Sequence, residues 1–140
     1  MGVDKESLEK FIDKLDVAFI GSVDGDGFPN MKAMLPPRKR EGLTTFYLTT
    51  NTSSMRVQQY LKDPKACMYF FHKGMVRYQG LMLKGTMEVL EDEASKRMIW
   101  RTGDTMYYRK GVTDPDYCVL KFTAESGRYY ADLHTENVEI

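Results

Sequence analysis

The chain has 140 residues, enough for one domain that buries roughly two-thirds of its unfolded surface. A hydrophobic fraction of 42% with 12% aromatic residues excludes disorder, and 20 basic residues balance 20 acidic ones, so no global charge draws the chain to nucleic acid or to an anionic membrane. No apolar run approaches the roughly 20 residues of a membrane span, and the charged start from Met1 to Lys10 lacks an apolar signal core, so a cytoplasmic protein is expected.

Leu8, Phe11, Ile12 and Leu15 recur at helical spacing among charged residues, with Asp4 as N-cap; this amphipathic helix should lie as a lid on the core. Val17 to Val23 reads as a strand. Asp24-Gly25-Asp26-Gly27 reads as a hairpin turn leading to a second strand over about Phe28 to Pro36. A basic loop from Pro37 to Gly42 reverses the chain, and Leu43 to Thr49 is a third strand, rich in aromatic and β-branched residues. A helix starts within Asn51 to Ser54, runs to about Leu61 and stops at Asp63-Pro64. Ala66 to His72 is a strand, and Val76 to Leu90 a longer one with Gly80 and Gly85 as bulges or sharp bends. Glu91 to Trp100 has helical composition. Tyr117 to Thr123 and Arg128 to Leu133 should close the chain as a hairpin across Glu125-Ser126-Gly127. Six or seven short, mostly antiparallel strands with short flanking helices predict a mainly β fold, a closed or nearly closed β-barrel in a single domain spanning residues 1–140.

Several signals are empty. The Asp24 to Gly27 stretch lacks the third acidic position and bidentate Glu of a calcium loop. His72 and His134 have no partner at metal-ligand spacing, so no metal is expected. No GxSxG, GxGxxG or GxxxxGK[ST] occurs. Cys67 and Cys118, far apart and without CxxC spacing, read as small buried apolar residues. Arg38-Lys39-Arg40 reads as a solvated turn.

The informative stretch is Thr49-Thr50-Asn51-Thr52-Ser53-Ser54-Met55-Arg56. A strand end delivers hydroxyls into a helix start, whose first amides lack internal partners and favour anions. Thr50, Ser53 and Ser54 add hydroxyl donors and Arg56 a planar cation, the set a phosphate monoester needs. An ordinary Ser cap beside a surface Arg fits the same residues equally well. Lys32 and Met34 share one face of the second strand, which a hairpin should bring beside Leu43 to Thr49. Lys32 is then either a second cation at the site or a solvated residue of an edge strand.

Together these pieces resemble the pyridoxamine 5'-phosphate oxidase-like flavin proteins, and more closely their short general stress protein branch. The resemblance runs from about Leu15 to Tyr130. It rests on Pro29-Asn30-Met31-Lys32-Ala33-Met34, Thr49-Thr50-Asn51, Ser54-Met55-Arg56, Asp63-Pro64, Lys84 to Val89, Trp100, and Gly111 to Tyr117, in that order and spacing. It implies a split β-barrel homodimer with one FMN at each end of the subunit interface. Lys32, Ser54 and Arg56 would approach the phosphate, and the backbone at Ala33-Met34 and Thr49-Thr50 would lie along the flavin. The second subunit would complete the ring pocket through Trp100 or the strand around Gln79. The family often has Arg at Lys32, a further cation at Met55, and a Trp at Tyr130. The true oxidase's substrate-binding C-terminal residues have no counterpart before Ile140, so oxidation of vitamin B6 is not expected. A small FMN-dependent oxidoreductase, using a nicotinamide or another small-molecule electron donor, is the first functional expectation. A non-catalytic flavin carrier or stress sensor, or a relative binding haem or a deazaflavin, are the others, beside a barrel that binds no chromophore and serves as a dimeric interaction module. No side chain stands out as a catalytic acid or base.

Overall fold

A computed structural model of the protein describes residues 2–140. The Asp4 carboxylate accepts from the Ser7 amide at 2.7 Å and starts helix α1 (Lys5–Asp13), whose Leu8, Phe11 and Ile12 are buried in the main core. Strands β1 (Ala18–Val23) and β2 (Pro29–Met34) form the first hairpin. Asp24 makes that turn, because its carboxylate accepts from the amides of Asp26 and Phe28, both at 2.9 Å, and Gly27 takes φ of 84°. Strand β3 (Lys39–Glu41) and strand β4 (Thr45–Asn51) follow, then helix α2 (Met55–Lys62), which ends where Asp63-Pro64 cannot continue it. Strands β5 (Lys65–Lys73) and β6 (Tyr78–Leu90) pair along their length, and helix α3 (Glu93–Ile99) leads through two short 3₁₀ turns to β7 (Tyr117–Ala131) and β8 (His134–Val138).

The described residues form one antiparallel sheet in the order β2-β1-β5-β6-β7-β4-β3, with β8 added to β7. The inward faces of these strands and α1 share one core, in which Ile20, Phe46, Met68, Phe70, Leu83 and Phe122 are almost fully enclosed. Fully burying an aromatic or branched side chain contributes about 1.5–3 kcal/mol, so this cluster is the main driving force for the sheet to curl. A second cluster, Tyr47, Ile99, Tyr108, Tyr117 and Val119, lies on the other face of β4 and β7 under α3.

Four expectations are corrected. The basic stretch 37–42 is not a plain loop, since Lys39–Glu41 pairs with Thr45 to Tyr47 as β3. Its arginines are not solvated either: Arg40 holds Glu9 and Asp13 of α1, and Arg38 holds Asp104. The chain does not turn at Glu125-Ser126-Gly127. Strand β7 runs straight through, and the turn falls at Asp132-Leu133, both at positive φ. Finally, β2 does not pair with β4, because the two lie near opposite ends of the sheet order. No helix is long and apolar enough to cross a membrane among the described residues.

Candidate functional site

The missing β2–β4 ladder is what makes the site. Strand β2 pairs only with β1, and β4 beyond Tyr47 pairs only with β7, so Lys32 to Met34 and Thr49 to Asn51 keep one backbone edge each outside the sheet. Barrel curvature brings both edges to one cavity of about 650 Å³, within the range of small-molecule sites. Lys32, Ala33, Met34, Thr49, Thr50 and Arg56 all line it. Leu35, Pro36, Arg38, Asn51, Met106, Tyr107, Tyr108 and Asp116 complete the wall.

Its polar part holds Lys32, Arg38 and Arg56 against one carboxylate, Asp116, among the described residues. Arg56 is the second residue of α2 and donates through Nη2 to Thr50 Oγ1 at 3.3 Å, while its Nε is buried without a hydrogen-bond partner among the described residues. Neither Arg56 nor Lys32 forms an ion pair among the described residues. A buried charged donor left unsatisfied costs about 1–3 kcal/mol, a cost that an entering anion would remove.

The amides that lead into α2 are already engaged. Thr52 N donates to the Asp116 carbonyl at 2.7 Å, Ser53 N to the Asp116 carboxylate at 2.9 Å and Ser54 N to the Asn51 carbonyl at 3.1 Å. The Ser54 hydroxyl caps α2 by accepting from Val57 N at 3.3 Å. Ser53 and Ser54 thus border the cavity's polar end in sequence without lining it; the Ser53 hydroxyl accepts from Asn51 Nδ2. Lys32 and the Arg56 Nε, unlike the amides of residues 52–54, are left open on this side of the cavity among the described residues.

The remainder is apolar and aromatic. Tyr108 is fixed 4.9 Å from Tyr117 and 6.3 Å from Trp100, ring centre to ring centre, and Trp100 stands 5.2 Å from Tyr117. Trp100 therefore backs the wall without touching the cavity of its own chain. Gln79 lies elsewhere: it donates to the Tyr129 hydroxyl at 2.8 Å and lines a smaller cavity beneath α1 with His72. Burial pushes the Tyr108 phenol up to about 12, so at neutral pH it can donate a hydrogen bond but cannot act as a base.

Sequence reasoning missed Arg38 and the Met106-Tyr107-Tyr108 run. The Arg38 guanidinium grips both carboxylate oxygens of Asp104, with Nη2 to Oδ1 at 2.9 Å. This contact holds the Asp104 carboxyl below the usual carboxylate range, as Arg40 does for Asp13. Free carboxylates titrate near pH 4, so both pairs add stability above that pH and lose it as acid protonates the folded state at still lower pH. The melting temperature is therefore expected to stay flat from pH 8 to about 5 and to fall below about pH 4. Circular-dichroism melts across that range check this, and a fall already between pH 7 and 5 would sink it.

A larger depression of about 750 Å³ opens between β1, β2, β5 and β6. Its lysines, Lys65 and Lys84, are offset by Asp63 and Glu125, and Pro29, Met31, Pro64 and Met82 make much of the rest. It has neither the unpaired arginine nor the aromatic wall of the β2–β4 cavity.

Comparison with known proteins agrees with this architecture. A family model described as pyridoxamine 5'-phosphate oxidase matches residues 4–131. A crystal structure of a protein from Clostridium acetobutylicum related to general stress protein 26 of Bacillus subtilis is 39% identical. It superposes with a TM-score of 0.85, over 99% of this chain and 97% of that one. General stress protein 26 of Bacillus anthracis is 17% identical with a TM-score of 0.74, covering 96% of this chain and 98% of its own. A heme binding protein from Mycobacterium smegmatis shares the fold at 14% identity and a TM-score of 0.78, covering 99% of this chain and 59% of its own. No curated protein matches significantly. A family match across nearly the whole domain, an end-to-end relative at 39% identity, and a sheet split between β2 and β4 agree: the chain belongs to the pyridoxamine 5'-phosphate oxidase family, on the side of its general stress protein 26 relatives.

Proposed function

We propose that the protein is an FMN-binding flavoprotein acting as a homodimer, and that it works as a small oxidoreductase. The observation that carries this reading is Arg56, whose guanidinium reaches the cavity with a buried Nε that nothing among the described residues satisfies. Arg56, Lys32 and the Thr50 hydroxyl would hold the phosphate, with the Ser54 hydroxyl proton and Ser53 close by. The unpaired edges at Ala33-Met34 and Thr49-Thr50 would offer backbone groups to the polar rim of the ring, and the tyrosine wall would take its face. FMN supplies hydride and single-electron chemistry when bound. The chain's own residues bind, orient and exclude water, since Tyr108 stays protonated at neutral pH and no histidine lines the cavity.

The dimer reading is supported by exposed apolar residues around the larger depression. Met31 lies on its wall and Phe28 beside it, both largely exposed. In that dimer, Gln79 or Trp100 of one subunit would be the residues to complete the other's flavin pocket. The haem alternative draws on the shared fold of the heme binding protein. This chain's His72 and His134 both lie outside the cavity, so its residues favour a phosphate-bearing flavin.

The test is an absorption spectrum of protein saturated with FMN and then desalted. Retained flavin bands are expected, at about one FMN per chain. Colourless protein would remove the flavin reading, and haem and deazaflavin titrations would follow. Oxidation of NAD(P)H by the loaded protein then divides an enzyme from a carrier.

A further inference from the structure

The segment between α3 and β7 forms part of the cavity wall without joining the sheet. Met106 and Tyr107 stand out from it, 82% and 69% exposed, while Tyr108 packs inward on Tyr117 and Trp100. Such a segment needs a fixed attachment if it is to present a defined surface. Asp104 provides it. Its carboxylate accepts from Arg101 N at 2.9 Å and from the Arg38 guanidinium, and its carbonyl accepts from both Tyr107 N and Tyr108 N at 2.9 Å. Arg38 is itself fastened, its amide donating to the Tyr47 carbonyl at 2.8 Å and its Nη1 to the Ile99 carbonyl at 3.2 Å. The pair is enclosed, with side chains only 11% and 6% exposed. One ion pair thus ties the β2–β3 connection to the base of the tyrosine wall, spanning the cavity's apolar part.

We propose that Arg38 and Asp104 are positioning residues: their ion pair holds the Met106–Tyr108 wall against the face of the bound ring, so the pair sets affinity for the ring and leaves recognition of the phosphate to Arg56 and Lys32. This rests on the flavin reading given above. A wall ordered before binding spares the ligand the entropy of ordering it. Removing the charge at Asp104 leaves the enclosed Arg38 guanidinium without its counter-charge and loosens the segment.

Titrations of wild type, Asp104→Asn, Tyr107→Ala and Arg56→Ala with FMN and with riboflavin test this, followed by flavin fluorescence. Riboflavin carries the ring without the phosphate. Asp104→Asn is expected to weaken both flavins by the same factor, about tenfold, the scale of one well-placed aromatic contact. Their affinity ratio should stay unchanged. Tyr107→Ala should act in the same direction; because Tyr107 is exposed, this variant folds even if Asp104→Asn does not. Arg56→Ala should instead collapse the FMN-to-riboflavin ratio. Affinities within twofold of wild type in both Asp104→Asn and Tyr107→Ala, or a loss confined to FMN, overturn the positioning role and leave the flavin reading standing. A wild type that binds neither flavin overturns both.

Discussion

Arg56→Ala is expected to lower FMN affinity about 100-fold while moving riboflavin affinity less than about twofold. Hydrogen bonds to charged groups contribute about 1.5–3 kcal/mol each, and every 1.4 kcal/mol is a factor of ten. Arg56 has the open Nε to make one and an Nη2 already oriented by Thr50. The same geometry predicts the opposite sign for the protein without ligand. Removing an enclosed donor that has no partner relieves an energetic cost, so the variant's melting temperature should equal or slightly exceed that of wild type. Arg56→Lys keeps the charge but cannot place a donor at the Nε position, and an intermediate loss of about tenfold is expected. Isothermal titration of both flavins, with melting curves of the ligand-free proteins, reads all three effects. Equal losses for FMN and riboflavin, or a destabilised apo protein, would make Arg56 a structural residue and leave the cavity without its main anion ligand.

That prediction uses a residue legible from sequence, and the reason is local. Thr50 and Arg56 are six residues apart at a strand-to-helix junction, where chain direction alone brings them together. The first hairpin was legible for the same reason, because Asp24 and Gly27 carry its turn within their own residues. What escaped notice is non-local or misleading. Arg38 and Asp104 are 66 residues apart, and neither sits in a pattern that points to the other. Gly127 resembles a turn glycine, yet it serves close packing: a Cβ there would lie 3.0 Å from a Leu83 side-chain carbon. The real turn uses Leu133 at φ of 66°, which no residue preference predicts. The expected β2–β4 hairpin failed because curvature of the whole sheet, not a local reversal, brings those strands to one cavity. Residues Lys32 and Thr49 still meet there, reached through a different topology.

The glycines of β6 separate two kinds of close approach. Gly80 and Gly85 looked alike in sequence, but the register shift in the β6–β7 ladder falls between Lys84 and Gly85 alone. A Cβ at Gly85 would lie 1.9 Å from the Thr123 carbonyl oxygen and 2.9 Å from Ala124 Cα, both backbone atoms of a central strand. A Cβ at Gly80 would instead meet the Tyr69 hydroxyl at 2.1 Å and Cζ at 2.8 Å, the far end of a half-buried side chain that can swing aside. Gly85→Ala must therefore shift β7 or open the bulge, while Gly80→Ala needs one rotamer change. Overpacking costs typically 1–3 kcal/mol, and each kcal/mol moves the melting temperature by roughly 2–4 °C in a domain near this size. Gly85→Ala should lower the melting temperature by about 6–10 °C, and Gly80→Ala by no more than about 3 °C. Paired thermal and urea melts decide between them. Equal losses would mean that the ladder at Thr123 yields as easily as a tyrosine ring, and the β6–β7 frame would then be too soft to hold β4 and its unpaired edge in place against the cavity.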